Sequence, residues 1–172
     1  MAAASTISPK PDLRFLVSHP AHFIALGFGA GLAPRAPGTF GTLVAIPIVG
    51  LLLFVVPPLL IAFMAIPAFF LGVAACTITG RDLGSPDHGS MVIDEIVAFT
   101  PLCALSFHSP LLLAVAFALF RLFDIAKPPP IRMLEKNVKG GLGVMLDDVF
   151  AAFYAYMAFV AFIVVGRALG LQ

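Results

Sequence analysis

Two pairs of adjacent carboxylates, Asp94-Glu95 and Asp147-Asp148, each stand at the edge of a long apolar run. They hold four of the nine acids in a chain of 172 residues. One such pair has an ordinary use, because the helix macrodipole favours negative charge in a first turn. Two pairs in so acid-poor a chain point further, since charge beside an apolar phase is expensive and is kept for pairing or for function. Asp124 adds a fifth carboxylate within Arg121-Leu122-Phe123-Asp124-Ile125-Ala126-Lys127. Arg121, Asp124 and Lys127 recur every three residues and share one helix face, as an internal ion ladder or as part of a site. Gathered in one place, five carboxylates repel one another unless a cation neutralises them. The donors are all oxygen, there is no cysteine cluster, and His88 is the one histidine near the acids. That set suits a hard cation, Mg²⁺ or Mn²⁺, rather than zinc. Mg²⁺ commonly takes one or two carboxylates, several waters and a substrate phosphate. Arg35, Arg81, Arg121, Lys127, Arg132 and Lys139 offer positive charge for such an anion. The stretch Ala36-Pro37-Gly38-Thr39-Phe40-Gly41-Thr42 precedes an apolar helix and is either a capped turn or an anion cradle of N–H groups and hydroxyls.

These residues must be carried by an unusual chain. Hydrophobic residues make up 60% and charged residues 11%, and mean hydropathy is +1.06. Soluble domains lie nearer 45–50% and about 25%, which argues against an ordinary soluble globule and rules out a disordered chain. A net charge of +1 leaves no broad basic face for nucleic acid. Cys76 and Cys103 both lie in apolar runs and read as buried thiols. Fifteen glycines and fifteen prolines in a mostly helical chain imply broken helices and irregular loops. Charge-free stretches organise the rest. Residues 36–80 hold two apolar segments, Thr42–Val56 and Leu59–Thr79, separated by Pro57-Pro58. Val149–Val165 reads as a further span. Residues 96–120 are interrupted at Ser106-Phe107-His108-Ser109-Pro110, giving either one kinked span or a tight helical hairpin. Phe15–Pro34 reads as one short interfacial or re-entrant helix, and Met1–Arg14 is polar and unlike a signal peptide. The chain thus divides into a polar tail, 1–17, and a single domain, 18–172. The hairpin would bring all three charged stretches to one face, with nine of the ten lysines and arginines, which the positive-inside tendency makes cytoplasmic. A single span would instead set Asp147-Asp148 opposite Asp94-Glu95.

In four places the sequence resembles the phosphatidylglycerophosphatase A family of Mg²⁺-dependent bacterial lipid phosphatases: PGTFGT (Pro37–Thr42), DHGSMVIDE (Asp87–Glu95), RLFDIAKPPPIR (Arg121–Arg132) and NVKGGLGVMLDD (Asn137–Asp148). Their order and spacing match from about His19 to Gly166. The resemblance implies an all-α, membrane-embedded bundle with re-entrant or broken helices and a surface metal site at the bacterial inner membrane. It implies hydrolysis of the terminal phosphate of phosphatidylglycerol phosphate, a lipid substrate reached from the bilayer. Asp94, Glu95, Asp124, Asp147 and Asp148 fall on the family's acidic positions. Asp94, Glu95, Asp147 and Asp148 would hold Mg²⁺, and Arg121, Lys127, Thr39 and Lys139 would meet the phosphate. Asp124 stays open between ligand, arginine orienter and nucleophile. Lys139 stands where some relatives are expected to carry histidine, which leaves His88 as the nearby proton donor or as a loop cap. The rival readings are a small membrane transporter and a non-catalytic scaffold subunit. A homo-oligomer stays open, with no residue arguing for it.

Overall fold

The computed structural model describes residues 10–170, except the side chains of residues 134–136. Most of the expected polar tail, residues 1–9, therefore lies outside the described residues. The described residues form eight α-helices and one 3-10 segment, and no strand. The helices are α1 (Leu13–Ser18), α2 (Pro20–Ala25), α3 (Pro37–Leu52), α4 (Pro58–Asp82), α5 (Ile93–Ser106), α6 (Pro110–Ala126), α7 (Ile131–Asn137) and α8 (Gly141–Ala168), with the 3-10 segment Gly27–Leu32 between α2 and α3.

Two helices are long and apolar enough to cross a membrane. At about 1.5 Å per residue, the 25 residues of α4 and the 28 of α8 exceed the roughly 30 Å of a hydrocarbon core. Only 22% and 17% of their most apolar windows are buried. A core helix of a soluble protein would be mostly covered. Here Phe54, Phe63, Phe70 and Val164 are more than half exposed, a surface suited to lipid.

The middle charge-free stretch folds as the hairpin. α5 and α6 turn at Phe107–Ser109, where the Leu112 N–H donates to Ser109 Oγ at 3.4 Å and Pro110 opens α6. α5 lies at the centre, with 11 of its 14 residues buried against α3, α4, α6 and α8. Phe99 of α5 is fully buried between Phe117 and Phe120 of α6, with ring centroids 6.0 and 5.4 Å away. Cys76 and Cys103 are buried free thiols in the same core.

Several boundaries differ from expectation. α3 begins at Pro37, so the PGTFGT stretch is its opening turn and a half rather than a lead-in. Proline at N1 lacks only an N–H that would have no partner there anyway. α8 begins at Gly141, so Asp147 and Asp148 sit in its second turn, beyond the reach of a terminal dipole. Phe15–Pro34 is not one helix but α1, α2 and the 3-10 segment. His19 is extended ahead of Pro20, as a residue before proline prefers. Gly27, Phe28 and Gly29 then take positive φ and end α2. This broken segment is tied to the bundle: the Val92 N–H donates to the Ala25 carbonyl at 2.8 Å, and buried His22 meets Asp82 at the end of α4.

Candidate active site

Because α5 and α6 double back, the start of α5, the end of α6 and the opening two turns of α3 and α8 meet. Asp94 and Glu95 lie in the first turn of α5, facing inward. Asp94, Glu95 and Asp148 each offer a carboxylate oxygen within 4.8 Å of the others. All three residues are at least nine-tenths buried.

Arg121 ties α6 to this cluster. Its Nη1 donates to Asp124 Oδ2 at 2.5 Å and to Thr42 Oγ1 at 3.3 Å, and lies 3.8 Å from Glu95 Oε1. Thr42 Oγ1 in turn donates to the Gly38 carbonyl at 3.0 Å. Gly38 matters by what it lacks: a Cβ there would fall on Glu95 Oε1 and lie 3.2 Å from Arg121 Nη1. Glycine thus lets the α3 backbone approach the acids.

Lys127 does not complete an Arg–Asp–Lys ladder along α6. It caps the helix in the left-handed region (φ 41°), and its Nζ donates to Asp147 Oδ2 of α8 at 2.7 Å. Neighbouring helix positions differ by about 100°, so Asp147 meets Lys127 while Asp148 joins Asp94 and Glu95.

The bonding leaves a clear deficit. Asp94 Oδ1, Glu95 Oε2, Asp147 Oδ1, Asp148 Oδ2 and Arg121 Nε are buried without a hydrogen-bond partner. Among the described residues only Thr79 Oγ1 shares that condition. Such atoms cost about 1–3 kcal/mol each, and folded proteins seldom keep them. Asp94 and Glu95 lie outside the two long spans. Burial above all raises the Asp94 carboxyl well beyond its ordinary 3.8, with the Glu95 and Asp148 charges adding to it. Burial also raises Glu95. A divalent cation fits this set: it would accept the lone pairs of the orphaned oxygens and offset their repulsion, and the donors are those of a hard ion.

Of the other residues singled out, Thr39 is half-buried in the first turn of α3 and Lys139 is exposed just before α8. Arg35, Arg81 and Arg132 are exposed, and Arg132 donates to the Ala126 carbonyl at 3.1 Å. His88 is half-buried, and its Nδ1 accepts from the Ser90 N–H at 3.2 Å, so that nitrogen holds its own loop. Thr42 and Gly38 belong to the stretch read as a capped turn or anion cradle, but their place against Arg121 and Glu95 was not expected. Their signal was the i, i+4 spacing that puts Gly38, Gly41 and Thr42 on one buried stripe of α3.

The family model for phosphatidylglycerophosphatase A matches residues 23–163, which include every residue of the cluster. The chain belongs to the phosphatidylglycerophosphatase A family. A phosphatidylglycerophosphatase A of Escherichia coli (strain K12) is 42% identical over 139 residues, 80% of each chain. One of Haemophilus influenzae is 42% identical over 147 residues, covering 85% of this chain and 90% of the relative. A Bacteroides thetaiotaomicron protein, provisionally named a phosphatidylinositol-3-phosphatase, is 40% identical over 141 residues, 78% and 87% of the two chains. No solved structure matches the chain.

Proposed function

We propose that the protein hydrolyses the terminal phosphate monoester of phosphatidylglycerol phosphate, releasing phosphatidylglycerol and inorganic phosphate, as a Mg²⁺-dependent step of phospholipid synthesis. The observation that carries this reading is the set of four orphaned carboxylate oxygens beside Arg121 and Lys127, in a chain of this family. Asp94, Glu95 and Asp148 form the inner ligand set, and Asp147 offers its remaining Oδ1 while Lys127 holds Oδ2. A bound Mg²⁺ supplies Lewis-acid polarisation of phosphate oxygens and a more acidic water. Arg121, with its unpartnered Nε, and Lys127 neutralise phosphate charge, and phosphoryl transfer depends mainly on such positioning and electrostatics. Thr39 and Lys139 make the outer phosphate contacts.

Asp124 orients Arg121 in this reading, because its carboxylate is already engaged by the guanidinium. Direct attack by water is therefore favoured. The new P–O bond comes from water, the ester P–O bond breaks, and the lipid alkoxide takes one proton of that water as it leaves, the other staying with the phosphate. Trapping a phosphorylated Asp124 during turnover would overturn this order of events.

The active end faces the cytoplasm of a multi-pass inner-membrane protein, supported by the two long apolar helices and the single charged face. Residues 18–172 act as one catalytic domain. Placement of the acids at one end of the apolar helices, rather than along a central path, suits surface chemistry better than transport. The test is phosphate release from phosphatidylglycerol phosphate by purified protein in detergent, with Mg²⁺ or EDTA, beside Asp147→Asn. Release that needs Mg²⁺ and is lost in the variant is expected. No release from folded, lipid-reconstituted protein would refute the activity, and equal turnover of phosphatidylinositol 3-phosphate would refute the headgroup assignment.

A further inference from the structure

The helix faces that carry the acids do not end at the acids. On α5, Asp94 is followed at i+3, i+4, i+7 and i+11 by Val97, Ala98, Pro101 and Leu105. On α8, Asp148 is followed at i+4 and i+8 by Ala152 and Tyr156. These residues, with Ala65 and Phe69 of α4, line a groove of about 580 Å³, within the roughly 300–1,000 Å³ of small-molecule sites. Leu146 and Val149, which flank Asp147-Asp148, stand at its head. The Tyr156 hydroxyl is the one polar side-chain group in the lining. From Val97 to Leu105 the groove runs roughly 12 Å along α5 at 1.5 Å per residue. Its walls expose Ile66, Phe70, Leu105 and Phe153, on the same lipid-suited surface as the spans.

We infer that this groove holds one fatty-acyl chain of the phosphorylated lipid while the headgroup phosphate reaches the acids. The inference rests on the lipid-phosphatase reading above and adds a binding element to it. A charge-free groove about one helical turn beyond a phosphate-suited cluster, on the same faces of α5 and α8 and open to the apolar surface, matches a phospholipid: an anionic head and an alkyl tail. A chain moving from bilayer to groove exchanges one apolar environment for another, so burial adds little affinity. What the groove contributes is orientation, fixing the glycerol end so that the phosphate meets Arg121 and the acids in one geometry. Loss of the groove should therefore lower kcat more than it raises KM.

The decisive variants are Ala65→Leu and Ala152→Leu, one on each side of the groove and neither in the charged cluster. Turnover is measured on long-chain phosphatidylglycerol phosphate in mixed micelles and on its deacylated, water-soluble headgroup. Each variant is expected to lose about tenfold in kcat on the lipid and less than about twofold on the headgroup. Equal losses on both substrates, or none on either, overturn the proposal. A second readout does not need turnover: phosphatidylglycerol with a diazirine at the chain terminus, in nanodiscs. Crosslinks concentrated at Leu105, Phe153 and Tyr156, and reduced in the filled variants, support the groove. Labelling spread evenly over exposed residues such as Phe54 and Phe63 overturns it, as would disulfide-linked dimers of a Phe153→Cys variant, which assign the groove to a second copy. If wild-type protein releases no phosphate, the activity falls, and the crosslinks still decide the groove.

Discussion

Two polar clusters, one at each of two helix junctions, are built in opposite ways. At the first, His22 has both ring nitrogens engaged: Nε2 donates to Asp82 Oδ2 at 2.9 Å, and Nδ1 lies 3.1 Å from both Ser18 Oγ and the Phe15 carbonyl. Its ring stacks on Phe15 with centroids 4.0 Å apart. At the second, five carboxylates share two cations and leave four oxygens with no partner. A satisfied network fixes structure, whereas an unsatisfied one destabilises it and persists where something else completes it. The His22 clamp therefore holds the amino-terminal helices to α4, and the acid cluster is the one that the proposed chemistry would use.

The largest effect that this contrast predicts comes from the inner acids. Asp94→Asn or Asp148→Asn should cut Mg²⁺-dependent phosphate release by about 10³-fold, the scale of losing a main electrostatic group. Either variant should unfold no earlier than wild type when both are heated in EDTA. A variant that loses activity only because it unfolds would erase the distinction between the clusters. Next comes Gly38→Ala, which pushes Glu95 and Arg121 aside. Misplacement by about 1 Å can cost roughly 10²-fold, so turnover should fall by ten- to a hundredfold with the helical circular dichroism unchanged.

The clamp should answer in the other direction. His22→Ala removes the ring stack and the bond to Asp82, whose exposed carboxylate turns to water, so the lost bond costs about 0.5–1.5 kcal/mol. For a chain of this size that is roughly 2–4 °C of melting temperature per kcal/mol, with turnover per folded molecule retained. Loss of turnover without loss of stability would place His22 in the reaction instead.

A smaller effect lies in pH. The folded chain holds protons on Asp94 and Glu95 more tightly than the unfolded chain does, since both pKa values are raised. The stability linked to those protons is complete below the ordinary values of 3.8 and 4.5 and is lost as pH rises through the raised ones. Metal-free protein should thus become less stable as pH climbs through that window. Asp94→Asn should flatten the slope in thermal unfolding followed in EDTA. The smallest effect is Lys139→Ala. An exposed cation acts through a screened field, so KM should rise only about two- to fivefold and the difference should shrink at high salt.

Much of this architecture was open to sequence reasoning because its causes are local. The absence of charge over residues 36–80 and 149–166 marked the apolar helices, and Pro57-Pro58 marked the break before α4. The acid pairs stood out because they are rare in this composition. Other features had no local signature. Glycine at 38 reads as a flexible turn until Glu95 is placed against it. Lys127 looks like the next rung of a ladder on α6 until its left-handed backbone turns it toward Asp147. His22 and Asp82 are 60 residues apart, and nothing in either segment announces the other.

The sequence by itself determined the helical character, the apolar belt, the family and the residue types able to hold a hard cation, because composition and spacing act residue by residue. Only the tertiary structure decided that residues 96–120 double back rather than cross. That turn brings the ends of α5, α6 and α8 together and places Asp148, not Asp147, beside Asp94 and Glu95. The physical reason is that a 14-residue α5 is too short to span the apolar layer but long enough to be buried on nearly every side, so its register is set by the helices around it.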